Sequence, residues 1–252
     1  MAIALKDLTL GYDGHPAVHH LDGTFADGSL TAIVGPNGSG KSTLLKGITG
    51  ILKPLGGSIE HGAIRTRAIA YLPQSAEIDR SFPATVADLV ALGHWRNRGL
   101  WGAITGPDYA AVREALDAVG LRGFENRALD TLSGGQAQRA LFARVMLQDA
   151  SVILLDEPFT AIDEKTTADL IALVQRWHGE KRTVVAVLHD IDMVRKVFPQ
   201  ALLMAREPVA WGDTAMALAP ENLLKARRMV EAWDEHAAWH DTGHAHKHGH
   251  AA

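Results

Sequence analysis

Gly35-Pro36-Asn37-Gly38-Ser39-Gly40-Lys41-Ser42 sets glycines, a lysine and a hydroxyl in the order that suits a polyphosphate. Residues without side chains let successive backbone N–H groups approach phosphate oxygens, and a following helix adds its positive N-terminal end. Lys41 brings a mobile charge, while Ser42, with Thr43 beside it, offers a hydroxyl to Mg²⁺. Further along, Ile153-Leu-Leu-Asp156-Glu157 ends an apolar run on two carboxylates. Asp156 suits the hydrated metal, and Glu157 suits the attacking water as general base. His189 closes a second apolar run. Alone it would read as a structural histidine, but beside these segments it suits the terminal phosphate and the water. Leu132-Ser133-Gly134-Gly135-Gln136 precedes a helical pattern, so it is either a second anion-facing helix N-terminus or a plain serine cap.

Those residues need rigid elements behind them. Ile3, Leu5, Leu8 and Leu10 interleave with polar positions, turn signals stand at Asp13-Gly14 and Asp27-Gly28, and Leu30 to Val34 is apolar, which predicts a strand-rich opening. The last run enters the glycine-rich loop, and Ser42 to Ile48 continues with helical spacing, the strand-loop-helix setting of a phosphate loop. Val86, Leu89 and Val90 share one helical face, and Tyr109, Val112, Leu116 and Val119 another, so a helical lobe is expected over about 75–150. Val152 to Leu155 and Val184 to Leu188 flank a helix whose apolar face carries Leu170, Ile171, Val174 and Trp177, a βαβ unit with parallel strands.

At 252 residues the chain can bury a full core, and 47% hydrophobic content fits one α/β domain. A formal charge of −4 lacks the basic footprint that nucleic acid demands, so no nucleic-acid partner is expected. The N-terminus shows no export signal and no run suits a membrane span, so a cytoplasmic placement is expected and any membrane role needs a partner. There is no cysteine, hence no disulfide and no thiolate metal site.

The phosphate loop, the Leu-Ser-Gly-Gly-Gln136 pentapeptide and Leu154-Leu-Asp-Glu-Pro158 together resemble the ATP-binding subunits of ABC transporters, over residues 1 to about 225. The resemblance implies a P-loop ATPase core with a parallel sheet, an antiparallel β subdomain and a helical subdomain. It also implies a homodimer in which two ATP molecules lie between head-to-tail copies, each held by the phosphate loop of one and Ser133 to Gln136 of the other. Tyr12 is similar to the aromatic that stacks on adenine, or else it packs a turn. Gln74 resembles the glutamine that touches Mg²⁺ and the water, and links the site to the helical lobe. Asp163 resembles the aspartate that crosses the dimer interface, and it also suits an N-cap. Implied partners are two copies of a membrane permease and, indirectly, a periplasmic or extracellular metal-binding protein. The implied location is the cytoplasmic side of the plasma membrane.

Gln74 is followed by Asp79, Phe82-Pro-Ala-Thr85-Val86 and Ala91-Leu-Gly93, which with Pro158 to Asp163 looks like the zinc and manganese importers. A permease groove would lie near Phe82 and Trp95, although these aromatics suit internal packing equally. The chain divides into an ATP-binding domain over 1–233 and a flexible tail over 234–252. In that tail His236, His240, His244, His246, His248 and His250 have spacings that chelate Zn²⁺, whether as a functional zinc site or only as a metal-binding tail without a role. The leading expectation is an ATPase that powers zinc import. Manganese or iron-chelate import, a soluble ABC ATPase and a catalytically dead regulator stand as alternatives, the last opposed by intact Glu157 and His189.

Overall fold

A computed structural model describes residues 3–62, 68–74, 80–95, 105–160 and 162–235, for 230–235 in backbone only. The histidines at 236–250, Asp79 and parts of the expected helical lobe lie outside the described residues.

The first two strands, β1 (Ile3–Tyr12) and β2 (His15–Phe25), form a hairpin closed beside Asp13 and Gly14. In β1 the apolar positions change parity, from Ile3 and Leu5 to Leu8 and Leu10, yet all four are buried. A register shift between Leu5 and Leu8 makes this possible, because a bulged residue returns the next side chain to the same face. Strand β4 (Gly56–Glu60) pairs with the other edge of β1, giving a three-stranded antiparallel sheet.

The larger sheet has six strands in the order β5-β6-β7-β3-β8-β9. These are β3 (Leu30–Val34), β5 (Ile69–Leu72), β6 (Val152–Asp156), β7 (Thr183–Val187), β8 (Gln200–Ala205) and β9 (Glu207–Asp213). All neighbours are parallel except β8 and β9. Both faces are covered, so β3, β6 and β7 are buried at every position and read as apolar runs, with only Thr31, Asp156 and Thr183 polar.

Alternation along these strands feeds two cores. Ile33, Leu154 and Val185 join α1 (Lys41–Ile48) and the three-stranded sheet on one side. Val34, Leu155 and Ala186 meet the helices of the other side. These include α2 (Val86–Ala91), α3 (Gly106–Ala118), α4 (Gly134–Leu147) and α5 (Glu164–Gly179). Trp211 of β9 lies 4.7 Å from the Phe25 ring of β2, centroid to centroid, and ties the two sheets together. The chain ends in α6 (Ile191–Val197), α7 (Thr214–Ala217) and α8 (Pro220–Glu235).

The helical faces follow the expected spacing with two exceptions. On α5 Leu170, Val174 and Trp177 are buried but Ile171 is only half-buried, and Leu173 packs on the core instead. Val112, Leu116 and Val119 are buried, but Tyr109 is 48% exposed. It sits in the first turn of α3, beside Asp108, whose carboxylate turns back to the backbone N–H and hydroxyl of Thr105. At helical spacing Tyr109 shares the stripe of Val112 and Leu116, so its exposure belongs to its place in the first turn and not to the rotation of the helix.

Candidate nucleotide site

The parallel topology delivers the chemically competent residues to the C-terminal ends of neighbouring strands. Strand β3 runs into the phosphate loop, β6 ends at Asp156, β7 leads to His189, and β5 leads to Gln74. Crevices at such strand ends are where α/β sheets take ligands. Asn37, Gly38, Lys41, Ser42, Thr43, Gln74 and Glu157 line one cleft of about 470 Å³, to which β2 adds Ala17.

Three glycines in the loop resist replacement: at Gly35 a Cβ would lie 2.1 Å from the carbonyl oxygen of Met204, and Gly38 and Gly40 have left-handed backbones. Gly38 has φ 76° but open space around it, so backbone conformation alone demands glycine there. Gly40, the residue before α1, has φ 88°, and a Cβ on it would also lie 2.4 Å from the carbonyl oxygen of Ala17. Lys41 folds back and donates to the carbonyl oxygens of Gly35 and Pro36 at 2.9 and 2.7 Å. Burial pushes the Lys41 ammonium below the usual lysine range, while Glu157 and Asp156 pull it back up. Ser39 is fully buried, and its Oγ has no hydrogen-bond partner among the described residues.

Asp156 is fully buried, with Oδ1 accepting from Ser42 Oγ at 3.0 Å and Oδ2 from the Tyr71 hydroxyl at 3.3 Å. A hydroxyl and a carboxylate converging at the mouth of a phosphate loop are the hard oxygen donors that Mg²⁺ prefers, so the residues fit the ion. Glu157 has φ 48°, a left-handed conformation that costs a non-glycine residue roughly 1–2 kcal/mol. Its N–H donates to the Val187 carbonyl at 3.2 Å, which fastens the turn to β7. The turn breaks the strand's alternation and brings the Glu157 carboxylate to the cleft, where Oε1 lies 2.7 Å from His189 Nε2. Thr160 Oγ1 donates to Oε2 at 3.3 Å. Glu157 and His189 also wall a smaller cavity of about 190 Å³ behind the pair.

The remaining expected residues lie elsewhere on the chain. Ser133 caps α4: its Oγ accepts from the Gln136 N–H at 3.2 Å, and Gln136 Oε1 accepts from the Ser133 N–H at 3.0 Å. Neither these residues nor Gly134 and Gly135 line the cleft of their own chain. Tyr12 is 47% exposed at the hairpin end of β1, whose partner β2 supplies Ala17. Asp163 caps α5, accepting from the Thr166 N–H at 2.9 Å and the Thr166 hydroxyl at 2.6 Å. These bonds hold its carboxyl below the usual carboxylate range. Sequence reasoning missed Thr160, Tyr71 and Ala17. Thr160 stands three residues after Glu157, a turn spacing that could have flagged it, whereas Tyr71 and Ala17 reach the site only through strand pairing.

Comparison with known proteins fits this geometry. The ABC transporter family model matches residues 18–160, from β2 through the turn after Glu157. The zinc transport system ATP-binding protein TroB of Treponema pallidum is 36% identical over 89% of this chain and 86% of its own length. The manganese transport system ATP-binding protein MntA of Synechocystis is likewise 36% identical, over 88% of this chain and 91% of its own. Among solved structures, the ATP-binding cassette MJ0796, a dimer in a post-hydrolysis state with ADP and Pi, superposes with a TM-score of 0.76. It is 28% identical over 85% of this chain and 99% of its own length. The matched segment carries the phosphate loop, Asp156 and Glu157, and the chain belongs to the ABC transporter family as an ATP-hydrolysing cassette.

Proposed function

We propose that this ATPase powers import of a divalent metal ion, zinc in the first place, through a separate membrane permease. The observation that carries the metal is the near full-length similarity to transport-system subunits named for zinc and for manganese. Their equal identity keeps manganese as the second reading. No helix among the described residues is long and apolar enough to cross a membrane, so the translocation path is assigned to the permease, with this subunit peripheral on the cytoplasmic side. A periplasmic or extracellular metal-binding protein would deliver the ion.

In this reading the loop N–H groups from Gly35 to Thr43 and Lys41 bind the ATP phosphates, and Ser42, Asp156 and Gln74 would hold Mg²⁺. The ion, when bound, screens phosphate charge and orients the terminal group. Glu157 accepts a proton from the attacking water, while His189, 2.7 Å away, steadies its carboxylate and reaches toward the terminal phosphate. Tyr12 stacks on the adenine. Ser133, Gly134, Gly135 and Gln136 do not line their own cleft, and this supports a second copy supplying them, with Asp163 at the same seam. Closure of the dimer then depends on ATP, and hydrolysis loosens it, because the nucleotide favours only the closed pair.

Two experiments test the reading. Glu157→Gln should bind ATP yet lower turnover by about 10² to 10⁴, the scale of a lost general base; near-normal turnover would remove Glu157 from that role. Vesicles holding the permease and this subunit, with the metal-binding protein supplied outside, should accumulate zinc with ATP inside, and should not with the Glu157→Gln variant. Accumulation of manganese without zinc would select the second reading, and uptake of neither ion would refute metal import.

A further inference from the structure

Helix α4 carries Ser133 at its N-terminus and, soon after, Gln138 and Arg139, neither of which has a part in the scheme above. Gln138 is 1% exposed, and its Nε2 donates to the carbonyl oxygen of Pro158 at 2.9 Å. Arg139 donates to the Thr166 hydroxyl, the group that also donates to Asp163. One turn on, the Phe142 ring stacks with Phe159 at 6.3 Å and with Trp177 at 6.0 Å. One face of α4 therefore fastens the chain on the C-terminal side of Glu157.

Glu157 needs such a fastening. Its φ of 48° is a region that L side chains avoid, and the proline that follows narrows its choices further. A backbone held this way at a reactive position persists only where its surroundings over-determine it. Glu157 itself is held by Val187, Thr160 and His189, but none of these bonds reaches Pro158. The buried amide of Gln138 supplies that anchor, and burial makes the bond obligatory for both partners.

We propose that Gln138 is a positioning residue for Glu157. By fixing the Pro158 carbonyl it holds the turn that aims the carboxylate. Because it rides on the helix that begins at Ser133, it also links the glutamate serving one nucleotide to the serine facing the other. The assignment rests on Glu157 being the general base.

Gln138→Leu and Gln138→Met fill the same volume without the donor, so one can stand in if the other folds poorly. Each should lower kcat for ATP about tenfold or more, as loss of placement does, while KM and the thermal shift with Mg·ATP stay close to the parent. Val145→Ala, a cavity elsewhere in the buried face of α4, should lower stability and leave kcat unchanged. In a Glu157→Gln background, Gln138→Leu should have no further effect on the residual rate, because groups that act as one unit are not additive. An unchanged kcat in the single variants overturns the proposal, as does an equal loss in the Glu157→Gln background. Normal turnover by Glu157→Gln alone would instead refute the general-base reading, which separates the two failures.

Discussion

In Lys41 burial works against the charge while two carbonyl oxygens accept from it. Its ammonium is buried against two carbonyl oxygens, and burial alone lowers its pKa, so the charge is poorly matched until phosphates arrive. Lys41→Met should change the stability of the free protein by no more than about 1–2 kcal/mol, since two hydrogen bonds of about 1 kcal/mol net each are offset by relief of the buried charge. The parent at 100 times its Kd should gain about 2.7 kcal/mol from Mg·ATP, and the variant almost none. Thermal unfolding with and without nucleotide checks both numbers; a full nucleotide shift in Lys41→Met would contradict the assignment. The pH dependence has a definite sign. With the folded pKa below the usual 10.5, the unfolded chain holds more protons between the two values, so parent stability rises with pH across that window and the rise is missing in Lys41→Met.

At the scale of elements, the cap of α4 would carry two functions on one side chain. Ser133 closes a capping box within its own chain, and in the dimer it would face the partner's nucleotide. Ser133→Ala should cost about 1 kcal/mol of stability through the lost cap and should also impair hydrolysis. Ser133→Asp should keep the cap and the stability yet block ATP-dependent pairing, because a carboxylate would meet phosphate. If Ser133→Asp hydrolyses ATP like the parent, Ser133 has only the capping role. Asp163 caps α5 with a lowered pKa, so its stabilisation is complete above pH 3.8 and disappears as pH falls through the lowered value. Asp163→Asn should therefore flatten the acid limb of stability in chemical denaturation, and an unchanged limb would deny the cap its electrostatic part. Much of this was legible in sequence because phosphate loops, apolar strand runs and cap signals are local. Gly35 to Ser42 and Leu132 to Gln136 each announce their own backbone geometry. What stayed hidden depends on contacts distant in the chain: Ala17 enters the cleft through hairpin pairing, and Gln138 meets Pro158 across a helix–sheet junction. The αL turn at Glu157 was equally unreadable, since glutamate carries no signal for it. Strands β8 and β9 and the helices after β7 escaped for a related reason, their short apolar runs acquiring a place only once β3 takes β8 as its neighbour.

For the whole molecule, one chain holds the phosphate loop, Gln74 and Glu157 in one cleft, with Asp156 hydrogen-bonded to Ser42 beside it, and Ser133 to Gln136 do not line that cleft. A complete reaction centre thus calls for a second chain. The histidines at 236–250 add a separate expectation from spacing alone. Removal of residues 236–252 should leave basal ATP hydrolysis within about twofold, as expected for a segment that supplies none of the chemistry, and should reduce zinc bound in equilibrium dialysis. Unchanged zinc binding would strip those histidines of the assignment. The shared-site account itself is met most directly by sedimentation velocity of Glu157→Gln at saturating Mg·ATP. It predicts a species of twice the monomer mass that returns to monomer when nucleotide is removed or when Ser133→Asp is added. Monomer alone, under conditions where nucleotide binding is independently demonstrated, would contradict it.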